Sequence, residues 1–168
     1  MTRQSSEFRV VEQQDRPYVG ITGRVTMQTI PKIADRFSDV FGWLAEHGTE
    51  PDGAPFFRYR VIDMDRELVM EAGVPVKMPV VGSGEVQAGV LPAGRYVTTT
   101  YTGHPTELVD VTRQLLEWAD GQGLQWDVQP STEGEIWGCR LEHHETDPAE
   151  EPDMNHWRTR LEFRLANA

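Results

Sequence analysis

One cysteine, Cys139, stands in 168 residues. A single thiol forms neither an intramolecular disulfide nor a thiolate metal cluster, and such scarcity suits a reducing compartment, the cytoplasm. Long apolar runs are missing as well. Nowhere do roughly 18 uninterrupted apolar residues occur, which excludes a helical membrane span, and residues 1–15 are polar, without the apolar region of a signal peptide. Basic charge is also in short supply. With 16 Lys and Arg against 27 Asp and Glu, the net charge is −11; this argues against a nucleic-acid backbone or an anionic membrane as partner and is compatible with cationic ligands. Low-complexity segments and long linkers are absent too, so residues 1–168 read as one domain.

What is present is a repeat. Arg16-Pro17-Tyr18-Val19-Gly20-Ile21-Thr22 leads into a stretch ending Gly42-Trp43-Leu44-Ala45-Glu46-His47-Gly48. Gly94-Arg95-Tyr96-Val97-Thr98-Thr99-Thr100 leads into one ending Glu117-Trp118-Ala119-Asp120-Gly121-Gln122-Gly123. Tyr18 and Tyr96 are 78 positions apart (96 − 18), and each tryptophan precedes a glycine by five residues. Two like halves, about 8–80 and 85–166, imply a pseudo-dyad, and the seam between such halves favours a small-molecule pocket.

Periodicity fills in the elements. Residues 8–13 and 18–27 read as strands around the turn-like Asp15-Arg16-Pro17. Ile30, Ile33, Phe37, Phe41 and Leu44 recur at helical spacing, with Pro31 in the first turn and Gly48 at the end, and predict one amphipathic helix. Residues 56–63 and 67–76 predict a hairpin. After the break Gly82-Ser83-Gly84 the pattern returns: strands at 85–91 and 95–102, a helix through Leu108, Val111, Leu115 and Trp118, and strands at 137–145 and 157–165. The expected fold is therefore α+β, a tandem repeat of two β-β-α-β-β modules with antiparallel sheets, a helix on one face of each, and a central cleft. No segment remains for a helix-turn-helix, so direct DNA binding is not expected.

Period-2 alternation assigns Cys139, Leu141, Leu161, Phe163 and Leu165 to a core face and Arg140, Glu142, His144, Arg160 and Glu162 to the other. In the first half it puts Tyr18, Glu71 and Gly73 on the open face, with Tyr96 the partner of Tyr18. Carboxylates and aromatic rings converge near the pseudo-dyad in this reading. A carboxylate in an aromatic-walled cleft is costly unless paired, and an organic cation relieves that cost while gaining cation–π attraction of roughly 0.5 to 2 kcal/mol per ring. Rival motifs are weak. His143 and His144 are strand neighbours and point to opposite faces, so they do not serve one metal ion, and neither metal nor cofactor is expected. Val81-Gly82-Ser83-Gly84-Glu85 lacks the lysine and length of a phosphate loop. The Arg158, Arg160 and Arg164 series reads as a solvated strand face, and Cys139 as inert packing.

The stretches Gly53-Ala54-Pro55-Phe56-Phe57-Arg58-Tyr59, Glu71-Ala72-Gly73-Val74-Pro75-Val76, Leu91-Pro92-Ala93-Gly94-Arg95-Tyr96, Thr146-Asp147-Pro148-Ala149-Glu150-Glu151-Pro152-Asp153 and Trp157-Arg158-Thr159 resemble the GyrI-like small-molecule-binding family. That family is related to the effector domains of AraC-type and MerR-type multidrug regulators. The resemblance runs from about residue 8 to 165 and implies a cleft for bulky, cationic aromatic compounds with an acidic residue at its centre. Glu142 falls at the pocket glutamate, Tyr18, Tyr96, Tyr59 and Trp137 are candidate aromatic walls, and Glu71, Glu162 and His144 would tune polarity. Three positions depart from the pattern: His144 replaces a tyrosine, Arg160 a glutamate, and Gly103-His104-Pro105 a common Gly-Pro-Tyr. The implied role is a stand-alone effector or drug-sequestering domain, with any DNA-binding function supplied by a separate partner. Two alternatives come with the resemblance. One is hydrolysis of cyclopropane-bearing alkylating antibiotics, with Glu142 activating water and Tyr18, Tyr96 or His144 donating a proton. The other is an acidic protein-interaction module of the gyrase-inhibitor kind.

Overall fold

A computed structural model describes residues 4, 5 and 7–166. The first half holds β1 (Gln4–Ser5), β2 (Arg9–Gln13), β3 (Arg16–Val25), helices α1 (Pro31–Ala34) and α2 (Phe37–Glu46), β4 (Phe56–Ile62) and β5 (Leu68–Pro75). The second holds β6 (Gln87–Leu91), β7 (Gly94–Thr102), α3 (Leu108–Gly121), β8 (Val128–Ser131), β9 (Gly134–Trp137), β10 (Arg140–His144) and β11 (Arg158–Arg164). Among the described residues no helix is long and apolar enough to cross a membrane.

All strands join one curled, antiparallel sheet. Its main path runs β7-β11-β10-β4-β5-β3-β6, with β1 and β2 both paired to the outer side of β7. The two leading strands are exchanged: β2 pairs with β7 of the second half, while β6 pairs with β3 of the first. The path from β2 to β6 thus carries matching pairings from either end, and β4 meets β10 at its middle. Separate small sheets, one per half, are the sequence expectation; a continuous sheet with exchanged edges is what forms. The reason is local. The short connections β2–β3 and β6–β7 meet, the Ala93 N–H donating to Asp15 Oδ1 at 2.7 Å, and each sends its leading strand to the other half.

The helices lie on one face. α2 buries Val40, Trp43 and Leu44 against Val19, Ile21 and Val74. α3 buries Val111, Leu115 and Ala119 in a larger cluster with Val97, Leu161 and Phe163. Both end in a left-handed glycine, Gly48 (φ 63°) and Gly123 (φ 73°), after which the Thr49 N–H returns to Leu44 O at 2.9 Å and the Leu124 N–H to Ala119 O at 3.0 Å. The single helix expected over 30–44 is two. At Asp35 and Arg36 the ladder tightens, the Arg36 N–H reaching Ile33 O at 3.0 Å, and this interrupts the helix between α1 and α2.

Two further expectations are corrected. The strand expected over 137–145 breaks at Gly138, whose N–H donates to Asp127 O at 2.9 Å, and β8 and β9 make an additional hairpin. The register of β10 and β11 pairs Arg140 with Phe163, Glu142 with Leu161 and His144 with Thr159. Residues directly opposite share a face, so Leu161 and Phe163 lie with Glu142, and Arg160 and Glu162 lie with Leu141 and His143. Alternation misassigned β11 because both faces of these central strands are buried: the helix side by the larger cluster, the other by Tyr18, Phe56, Leu91, Tyr96, Cys139 and Leu141.

Candidate ligand-binding cavity

Between α1–α2 and α3, on the face of the sheet that carries the helices, a cavity of about 1120 Å³ opens onto the middle strands. Alternate residues of three strands make its floor: Phe57 and Tyr59 of β4, Arg140, Glu142 and His144 of β10, and Thr159 and Phe163 of β11. One wall comes from Ile30, Ala34 and Phe37, the other from Leu108, Val109 and Thr112. Exposed Met64 and Val109, with Phe41 and Met154, rim the mouth, and flexible thioethers there adapt to irregular apolar shapes.

Glu142 stands opposite Phe57 at the β4–β10 junction. Its side chain is 13% exposed. The Tyr59 hydroxyl donates to Oε2 at 3.2 Å. His144 Nε2 lies 3.9 Å from Oε1, a separation that would count as an ion pair if the imidazole were charged. Burial and neighbouring His143 instead depress His144 to about 4, so it is neutral at pH 7, and its Nε2 has no hydrogen-bond partner. Phe57 packs edge-on to His144 at 4.7 Å and stacks with Phe37 at 5.3 Å. Glu142 therefore sits in a mostly aromatic setting. Burial raises its pKa from 4.5 to about 7, a rise held back by the Tyr59 hydrogen bond and the Arg140 charge. The same burial pushes Tyr59 well above its usual value and lowers Arg140. Arg140 makes no ion pair with Glu142; its guanidinium rests over Phe163, Trp137 and Tyr59 at 4.5, 4.8 and 5.7 Å.

Of the residues singled out in the sequence, Glu142, Tyr59 and His144 come together here. The others do not. Trp137 packs against Arg140 rather than lining the cavity. Tyr18 and Glu71 face the opposite side of the sheet, where the Tyr18 hydroxyl donates to Glu71 Oε1 at 2.7 Å and Arg58 and Arg60 compensate the carboxylate. Tyr96 is also there, its hydroxyl donating to Pro92 O at 2.6 Å, so Glu142, Tyr96 and His144 form no catalytic group. Glu162 is fully buried in a polar knot: Gln13, Arg16 and His143 bond to it at 2.7, 2.9 and 3.0 Å, and Arg160 approaches at 3.3 Å. Burial opposes its ionisation, but the His143 hydrogen bond and the Arg16 charge prevail and hold it near 2. These groups stabilise the sheet; they do not face the cavity.

Phe57, Phe37 and Arg140 are cavity residues that sequence reasoning did not select. Parity with Tyr59 and Glu142 was the available signal for Phe57 and Arg140, whereas Phe37 reads as one more member of a helical core stripe. Among the described residues no cluster of three or more His, Cys, Asp or Glu is placed to hold a metal ion.

The fold is shared with proteins of known structure. The EcmrR chain in its DNA complex superposes with a TM-score of 0.73 at 14% identity over 99% of this chain, which spans 58% of the EcmrR chain. The isolated EcmrR C-terminal domain gives 0.66 at 15% identity, with 100% of both chains covered. SAV2435 bound to tetraphenylphosphonium gives 0.61 at 9% identity, covering 96% of this chain and 95% of that one. No curated protein sequence matches the chain. The profile of the GyrI-like small molecule binding domain matches residues 6–151, and with most of its length so matched the chain belongs to the GyrI-like small-molecule-binding family.

Proposed function

We propose that this domain binds bulky, apolar molecules bearing positive charge, in the cavity between the helices, as an effector module in regulation or as a drug-sequestering protein. One observation carries the reading: Glu142 is a carboxylate only 13% exposed on the floor of a large apolar cavity, and among the described residues no Lys or Arg pairs with it. Its desolvation is offset in part by the Tyr59 hydroxyl and by the Arg140 charge, which acts without contact. A bound cation supplies the missing counter-charge, and Phe57, Phe37 and Tyr59 offer ring faces to it. SAV2435, of similar fold, is a protein solved with a lipophilic cation, which supports the same class here. Binding rather than turnover is favoured, because the cavity brings Glu142 no tyrosine beyond the one already bonded to it and a neutral His144.

The test is a titration with a fluorescent lipophilic cation, wild type against Glu142→Gln. Saturable binding that weakens at least about tenfold on substitution, as expected for loss of a desolvated counter-charge, supports the proposal, with the compound recovered unchanged. Equal affinity in both proteins sinks it.

A further inference from the structure

Arg140 is the unexplained charge of this site. It is 6% exposed, and no hydrogen bond or ion pair joins its side chain to another described residue. Its Nε is a buried donor without an acceptor. The rings of Phe163, Trp137 and Tyr59 lie against the guanidinium, but a ring offers no in-plane acceptor to the Nε–H. Buried guanidinium groups are ordinarily paired with carboxylates. This one lines a cavity instead. The titratable groups whose charge acts on it are Tyr59, Glu135 and Glu142, and none of them forms an ion pair with it. Glu71 and Glu162 are committed to the other face of the sheet.

Arg140 and Glu142 are two residues apart on β10 and project to the same side, so their attachment points lie about 6.6 Å apart along the strand. A simple lipophilic cation seated on Glu142 would leave Arg140 unpaired and would be repelled by it across a dry cavity, where charges act over longer range than in water. Resting on the binding role proposed above, we infer that the molecule this cavity is built for is dipolar: a bulky apolar body with a cationic centre for Glu142 and, about 7 Å away, a carboxylate or sulfonate for Arg140. The acid accepts in-plane N–H bonds from Arg140, and the two ends of the ligand satisfy the two charges of the strand together.

The test uses rhodamine B, which carries a cationic xanthene and a free carboxylate, and its ethyl ester, which has lost only the acid. Calorimetric titration of the wild-type protein is expected to show the free acid binding about tenfold tighter than the ester, the size of one charge-assisted hydrogen-bonded contact. Arg140→Met should bring the two dyes within about twofold of each other, the acid weakening and the ester tightening as the repulsion is removed, and Arg140→Lys should retain part of the preference as a point charge. An ester that binds wild type as tightly as the acid overturns this inference and leaves cation binding standing. Failure of both dyes to bind overturns both. Should Arg140→Met not fold, the wild-type comparison of acid with ester decides by itself.

Discussion

Glu142 is the residue on which the chemistry turns, and its titration is measurable. Its folded pKa, about 7, lies above the 4.5 of an unburied glutamate. The folded chain therefore holds that proton more tightly than the unfolded chain, and the associated stability is present below about pH 4.5 and lost as pH rises through 7. About 2.5 units correspond to roughly 3 kcal/mol. Glu142→Gln, which carries no such proton, should be more stable than wild type at pH 8, with the gap closing toward pH 5 in urea-melt midpoints. A gap independent of pH would mean that the carboxylate is ionised throughout. Bound cations select the ionised form, so cation affinity should fall about tenfold per pH unit below 7 and be level above it. The charged and titratable groups facing Glu142 are Tyr59, Arg140 and His144, with Glu145 and Asp147 at the same cavity's edge; His144 titrates near 4 and leaves this window clear. Tyr59→Phe removes the hydrogen bond that favours the anion, and the midpoint of that affinity profile should move up by about one pH unit.

Among the elements, the break at Gly138 matters most to the site. It separates β9 from β10 and lets both strands pair with β4 at different points. A Cβ at Gly138 would overlap the Asp127 carboxylate, which pairs with Arg164 at 2.8 Å. Gly138→Ala should therefore drive that carboxylate off Arg164 and lose about 1 to 2 kcal/mol, visible as a lowered Tm; an unchanged Tm would show that the Asp127 side chain turns aside freely. This break also marks where the sequence stops being legible. α3 stands out by its apolar stripe, and β4, β5 and β7 by the clear turns that bound them, whereas the stripe over 30–44 conceals the interruption between α1 and α2. The residues 137–145 show continuous strand propensity, and nothing local reveals that Gly138 is wedged against Asp127. Glu142, Tyr59 and His144 were recognisable as candidates, but Tyr18, Tyr96, Glu71 and Glu162 have the same residue chemistry. Only the β10–β11 register, fixed by burial on both faces, tells the cavity side from the knot of ion pairs behind it.

At the scale of the whole molecule, exchange of β2 and β6 makes each half complete the other's sheet. The halves should unfold together, in one calorimetric transition whose enthalpy equals the van't Hoff value, and two resolved transitions would contradict it. Separate chains of residues 1–80 and 85–168 should each lack a stable fold, since each would leave an edge of its sheet unpaired. The matching pairings at the two ends also place Phe57 and Glu142 face to face where the pattern turns back on itself. In an assembly of two identical chains that axial pair would have to be the same residue twice, either two carboxylates in mutual repulsion or two rings with no charge. A single covalent chain escapes the constraint of symmetry. It sets one acid against one ring where the order of strand pairings turns back, and so gives the floor of the cavity a direction, which would impose a preferred way round on a molecule entering it.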